Sequence, residues 1–357
     1  MEMLGNVILP NTKELQYCGR IDLTNELEPM FIYCCSFVTF RFTGRSIRAI
    51  ISNIHCYYNN YIGYIIDGKQ GSIRLSNEQE KECLLLEENL EDREHEIILF
   101  KRMDACHYFK LFGFVLDEEA VATSAPSLPT RRIEVYGDSV SAGEVSEAVD
   151  YVGKLDPQHN GEYSNSWYSY VWITARKLGA QIHNISQGGI SLIDGTGWFD
   201  APHYYGMEHT WDKLRYQPEL APRTPWDFTR YVPHVVVVAI GQNDSNPMNY
   251  MKENYQGEKS NLWRMRYSNW IKKIRETYPY ALIILSTTIL NHHANWDRAI
   301  DEVCRELGDK KIVHFLYDKN GYGTPGHIRI SEAEEMANEL SEFIQSFGED
   351  IWDVTDN

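Results

Sequence analysis

Four residue types, each placed where an apolar run stops, could together do chemistry. Ser139 ends the run in "RRIEVYGDSV", the pair Gly188 and Gly189 follows "AQIHNISQ", and Asn243 lies in "HVVVVAIGQNDSN". His327 lies in "GYGTPGHIRISEAEEMANEL", at the start of a helical pattern. Acyl transfer asks for this set. A histidine takes the serine proton as attack begins. Backbone N–H groups and a side-chain amide then hold the oxyanion, each donor contributing about 3 kcal/mol. Taken singly, each residue has a plainer reading. Asp138 and Ser139 suit a helix N-cap, Asn243 suits a turn, and His327 suits a cap or the surface. Their common position is what favours the chemistry.

That position depends on the elements that hold it. From residue 131 the pattern alternates strand and helix. Strands are predicted at "RIEVY", "AQIHNIS", "HVVVVAIG" (234–241), "ALIILSTTI" and "KIVHFLY". Helices are predicted over 164–179, 260–278, "NWDRAIDEVCRELG" and 331–347. Uninterrupted runs such as "VVVVAI" suit strands covered on both faces, as in a parallel sheet. In such sheets sites form beyond the carboxyl ends of the strands, and the loops bearing Ser139, Gly189 and Asn243 lie there.

The first 120 residues read differently. "SFVTFRFTG", "SIRAIISN", "YIGYIIDG", "SIRLSN", "HEIILFKRM" and "YFKLFGFVLD" are strand-length and separated by Gly, Asn and Asp, which predicts a β-sandwich or jelly roll. "NEQEKECLLLEEN" is the one stretch there read as loop or helix. "VATSAPSLPT" (121–130), with small residues and two prolines, reads as a linker. The division is thus 1–120, a linker at 121–130, and 131–357.

The formal net charge of −17, with no basic run, argues against nucleic acid and anionic membranes as partners. No apolar run approaches 18 residues, and the start lacks the parts of a signal peptide, so a cytoplasmic protein is expected. Seven cysteines without a C-x-x-C fit reduced thiols rather than a metal site or a disulfide framework. His292 and His293 in "LNHHANWD", and His203 and His209, lack a carboxylate-rich ligand set, so no metal is expected and the histidine pair reads as surface loop. Trp198, Tyr204, Tyr205 and Trp211 could form a sugar platform or simply pack.

The blocks "GDSVSAG", "NISQGG", "GQND" and "PGH", in this order, resemble those of the SGNH (GDSL) hydrolase superfamily. "TPWDFTRYVPHVVVVAIGQND", with a β-rich first domain containing "FVTFRFTG" and ending in "FKLFGFVLD", is similar to carbohydrate esterase family 2 over nearly the whole chain. That resemblance implies a jelly-roll domain followed by an α/β/α hydrolase domain. It implies removal of acetyl groups from plant polysaccharides without a cofactor, the substrate being an acetylated oligosaccharide derived from xylan or mannan. Carried onto this chain, Ser139 is the nucleophile and gives a backbone N–H to the oxyanion hole. Gly189 gives a second donor, with Gly188 as the alternative, and Asn243 gives its side-chain amide. His327 is the general base. Asp138 and Asp244 hold loops.

One departure concerns the histidine's partner. Members of the superfamily usually set an aspartate two or three residues before the histidine, where this chain has Pro325 and Thr324. The expectation is a Ser139–His327 dyad oriented by the backbone of Thr324 or Pro325, with Asp318 as the alternative. Acetyl transfer between sugars on the same residues, and carbohydrate binding without catalysis, are the other functions these residues allow. Oligomeric state is left open.

Overall fold

The structure is a computed structural model and describes residues 5–104 and 106–353. The first four residues of the start read as lacking a signal peptide lie outside the described residues. Two compact units divide the chain. One comprises residues 1–128, 160–162 and 214–224, and the other 129–159, 163–213 and 225–357. The short excursions at 160–162 and 214–224 thus group with the first unit.

The first unit is a β-sandwich of two antiparallel sheets. One runs in the order Ile21–Asp22, Met30–Phe31, His107–Leu116, Ile47–His55, Glu82–Glu87, with Asn6–Ile8 also on His107–Leu116. The other runs Ala122–Thr123, Phe37–Gly44, Arg93–Lys101, Tyr61–Ile66, Lys69–Arg74, with Gln16–Cys18 also on Phe37–Gly44. Alternation along Phe37–Gly44 sends Phe40 and Phe42 inward to meet Phe114, Ile97 and Leu99 in one shared core. The segment read as loop or helix contains the strand Glu82–Glu87, an edge strand beside Ile47–His55. An exposed edge tolerates the charges that obscured its period. Within the stretch read as linker, Ala122–Thr123 pairs with Phe37–Gly44.

The second unit carries a five-stranded parallel sheet in the order Ala180–Ser186, Arg131–Gly137, Val235–Ala239, Leu282–Ser286, Ile312–His314. Val235–Ala239 and Leu282–Ser286 are buried throughout, which explains their unalternating composition. The helices are Tyr170–Lys177, Glu258–Thr277, Asn295–Leu307 and Ile330–Gln345, with shorter turns between. The helix expected from residue 164 begins only at Tyr170. Asn165 caps a separate 3₁₀ turn, Ser166–Tyr168, and Ser169 is extended between the two. Register sets the active edge: Gly137 pairs with both Ser186 and Ala239, and Ala239 with Ser286. Four strands therefore end in one row. The chain order reverses beside Arg131–Gly137, the switch point at which open α/β sheets place their ligands.

Among the described residues no helix is long and apolar enough to cross a membrane.

Candidate active site

Ser139 opens the short helix Ser139–Ala142 directly after the first parallel strand and is 5% exposed. Asp138 is its N-cap, with Oδ1 accepting from the Val140 N–H at 3.0 Å. Gly137 is required by closeness, since a Cβ there would sit 2.3 Å from Ser141 Oγ and 2.8 Å from Ser186 Oγ. The buried Asp138 carboxylate also accepts from Gln242 Nε2 at 2.6 Å and Asn243 Nδ2 at 3.3 Å. It thereby ties the serine block to the asparagine block. Burial pushes the Asp138 carboxyl up to about 6 against those hydrogen bonds.

Asn243 sits in the turn after Val235–Ala239, half-buried, and its Nδ2 donates also to the Ile190 carbonyl at 3.1 Å. The contact to Asp138 is the longer of the two and the weaker. Asp244 beside it is fully buried and accepts from the Leu192 and Ile193 N–H groups at 2.8 and 3.3 Å, fixing the loop after the glycine pair. Burial lifts its carboxyl to about 7. Both aspartates hold loops.

Gly189 adopts a φ of +72°, and a Cβ there would meet Trp198 Cβ at 2.7 Å. Its carbonyl accepts from the Trp198 N–H at 2.8 Å. Trp198 is 65% exposed beside this glycine. Tyr204 and Tyr205 are half-buried, and Tyr205 stacks on His203. Trp211 does not join them. It is buried, edge-on to Tyr136 at 6.0 Å and against Phe228 at 5.2 Å, and so belongs to the core.

His327 precedes the last helix, and the residue holding its ring is one the sequence reading did not name. Asp156 Oδ2 lies 2.6 Å from His327 Nδ1, while Asp156 Oδ1 accepts from the His327 N–H at 2.9 Å. Arg329, fully buried, donates to Asp156 Oδ1 at 2.8 Å and to the carbonyls of His327 and Ala148. A Cβ on Gly326 would stand 2.6 Å from the Lys154 carbonyl and 2.8 Å from Asp156 Oδ1, so the glycine of "PGH" lets this loop in.

The expected orienters lie elsewhere. The Thr324 carbonyl accepts from the Asn291 N–H, and the Asp318 N–H donates to Glu339. Neither the backbone at Thr324 or Pro325 nor Asp318 is the partner of Nδ1. A carboxylate from a distant loop takes that place, as a carboxylate accepts the Nδ1 proton better than a carbonyl does.

Burial disfavours the His327 imidazolium. The Asp156 hydrogen bond, then the charges of Glu144 and Asp156, outweigh it and raise the ring's pKa. Burial likewise opposes the Asp156 carboxylate, but His327 and Arg329 hold it well below the usual carboxylate range.

His292 is also not where it was expected. Its side chain is buried, with Nδ1 on the Leu290 carbonyl at 2.6 Å and Nε2 on Asp297 Oδ2 at 3.1 Å. The one group of three metal-ligand types close together among the described residues is Asp194, Glu208 and His209. Its members are taken by ion pairs, His209 to Asp194 at 2.8 Å and Glu208 to Arg266 at 2.6 Å.

The parallel sheet with its flanking helices is consistent with an α/β/α SGNH-like domain, which follows the β-sandwich in the chain. The first unit matches the family model described as carbohydrate esterase 2 N-terminal, over residues 17–126. The chain is homologous to carbohydrate esterase family 2.

It is 29% identical to an acetylxylan esterase / glucomannan deacetylase of Cellvibrio japonicus, covering 94% of this chain and 89% of that protein. It is 27% identical to cellulase/esterase CelE of Acetivibrio thermocellus, covering 92% of this chain. The match spans 39% of CelE, about two fifths of its length. An active-site mutant of a family two carbohydrate esterase from Clostridium thermocellum, solved with a cello-oligosaccharide, superposes with TM-score 0.77 at 26% identity, covering 93% and 98% of the two chains. A family two esterase structure from Cellvibrio japonicus gives TM-score 0.78 at 23% identity, covering 98% of each chain.

Proposed function

We propose that this chain is a serine esterase that removes O-acetyl groups from acetylated hemicellulose oligosaccharides through an acetyl-enzyme. The observation that carries this reading is the Asp156–His327 pair on the rim that bears Ser139. The acetylxylan and glucomannan activity named for the Cellvibrio japonicus relative supports the substrate class.

In this reading Ser139 Oγ attacks the acetyl carbonyl carbon as His327 Nε2 takes the hydroxyl proton. The Ser139 and Gly189 N–H groups and the Asn243 amide receive the oxyanion. Asn243 would do so by releasing its longer contact, the one to Asp138. The C–O bond to the sugar then breaks, the leaving oxygen takes the proton from Nε2, and acetyl remains on Ser139. Water, activated by the same nitrogen, releases acetate and restores the serine. Asp156 fixes the ring and balances its charge. Trp198 offers an aromatic face to the sugar beside Gly189.

The test is acetate release from an aryl acetate and from acetylated xylo- and manno-oligosaccharides, with products read by mass spectrometry and NMR. Ser139→Ala should abolish release while the protein still folds, and a serine-directed phosphonate should label Ser139. Labelling elsewhere, or faster turnover of octanoate than acetate esters, would overturn the reading. A second reading, carbohydrate binding without catalysis, draws on the family two relative solved with cellohexaose. It predicts oligosaccharide binding by calorimetry with no acetate released.

A further inference from the structure

Glu144 lies five residues after Ser139 and is unused in the reaction above. Its Oε2 stands 3.9 Å from His327 Nε2, the ring nitrogen that Asp156 does not hold, and its side chain is 18% exposed. Its N–H donates to the Ser139 carbonyl at 3.0 Å, so it is fixed to the main chain of the nucleophile itself. The backbone on either side is left-handed, with φ of 81° at Gly143 and 57° at Val145. Glycine accepts that conformation freely, whereas a β-branched residue there is an outlier. Val145 is fully buried, and its N–H donates to Ser164 Oγ at 3.3 Å. Such strain persists where the surroundings over-determine it, and it gathers at functional sites.

The charged groups facing His327 divide by side. Asp156 takes Nδ1, and Arg329 binds Asp156 and the His327 carbonyl. Asp138, at the cap of the serine helix, acts on the ring by charge and is itself bound by Gln242 and Asn243. Glu144 is the carboxylate paired with Nε2. At 3.9 Å it is too far to hydrogen-bond that nitrogen, leaving it open to the serine hydroxyl. It acts by charge.

We propose that Glu144 is a positioning residue of the esterase, a second carboxylate that holds the His327 imidazolium from the Nε2 side and sets the pH at which His327 is free to act as base. The proposal rests on the serine esterase reading. It has two consequences. The imidazolium that forms as Ser139 attacks is stabilised from both sides, which raises the rate. The resting ring also keeps its proton to higher pH, so activity starts later on the pH axis.

The test is Glu144→Gln, read in two ways. The first is the NMR titration of His327 in a Ser139→Ala background, which needs no turnover. The His327 resonance is assigned among the 12 histidines by its loss in His327→Gln. The second is the pH profile of kcat/KM on an aryl acetate. The titration midpoint and the acid limb should both move down, by on the order of half a pH unit or more, while kcat on the plateau falls severalfold. Glu144→Asp, which keeps the charge but withdraws it, should give an intermediate midpoint. It also serves if the glutamine variant does not fold. A purely structural role would lower activity equally at every pH. A midpoint that stays in place or rises in folded Glu144→Gln or Glu144→Asp overturns the proposal. If the midpoint moves but no ester is cleaved by the wild type, the esterase reading fails and the electrostatic role stands.

Discussion

Asp156 and His327 are separated by 171 residues in the chain, and their side chains meet at 2.6 Å, Oδ2 to Nδ1. The same carboxylate accepts the His327 N–H and pairs with buried Arg329, so ring and backbone are fixed together. A histidine held this way has its tautomer set and its imidazolium balanced.

Asp156→Asn should therefore be severe. Loss of the orienting charge in a serine–histidine–carboxylate set lowers kcat by about 10⁴-fold, and a loss of this order is expected on an aryl acetate. Asp318→Asn should stay within roughly tenfold, about 1.4 kcal/mol in barrier. Circular dichroism checks the fold of both. An Asp156→Asn enzyme within tenfold of wild type would mean that the carboxylate's charge is dispensable and that Ser139 and His327 suffice as a dyad.

Much of this site was legible because strands announce themselves. "RIEVY" and "VVVVAIG" carry buried-strand composition, and the rule that sites follow their carboxyl ends pointed to the Ser139 and Asn243 loops. Asp156 was not legible. It lies in "KLDPQHNGEY", a loop with no period, and only the folded path of that loop brings it to His327. The signal that could have found it was Gly326, whose missing Cβ makes room for that loop. Strand Glu82–Glu87 was hidden by charges along an edge. Sequence left Trp211 open between platform and packing and put His292 on a surface loop for one reason: burial is decided by packing partners distant in sequence.

Gly189→Ala should impair catalysis through geometry. The added methyl would have to sit 2.7 Å from Trp198 Cβ at a φ of +72°, where an L-residue costs on the order of 1–2 kcal/mol. Relief by rotating the peptide would swing the Gly189 N–H off the oxyanion position. The expected result is a loss of kcat on the order of 10²-fold, the scale of removing one donor, with KM for an aryl acetate little changed. Gly188→Ala losing more than Gly189→Ala would assign the donor to Gly188.

Two tryptophans separate platform from core. Trp198, 65% exposed, should contribute to binding the sugar chain. Trp198→Ala should raise KM for acetylated oligosaccharides while leaving kcat on an aryl acetate within about twofold. Trp211 is buried against Tyr136 and Phe228. Trp211→Ala should cost about 3–5 kcal/mol of stability, the range for truncating a buried aromatic, read by urea unfolding. Equal destabilisation by both would remove the platform.

Acid should act on stability through two carboxyls of opposite sign. The folded-state pKa of Asp156 is depressed, so its contribution is fully present above the ordinary carboxylate value of about 4 and is lost as pH falls toward the folded value. The stability gap between wild type and Asp156→Asn should widen as pH falls through the His327 titration, since Asp156 helps to raise that ring's pKa, and should shrink again below about pH 4. Asp244 runs the other way. Burial raises its carboxyl to about 7, so between the ordinary value and about 7 the folded chain holds a proton that the unfolded chain has released. Stability from that proton is present at low pH and is lost as pH rises through this window. Asn cannot ionise, so Asp244→Asn should gain on wild type as pH climbs from about 4 to 7, whatever the constant cost of its altered hydrogen bonds. Denaturant melts of the three proteins from about pH 2 to about pH 8 measure both slopes. An Asp244→Asn gap that stays flat would mean the buried carboxylate is already ionised and satisfied by the Leu192 and Ile193 N–H groups.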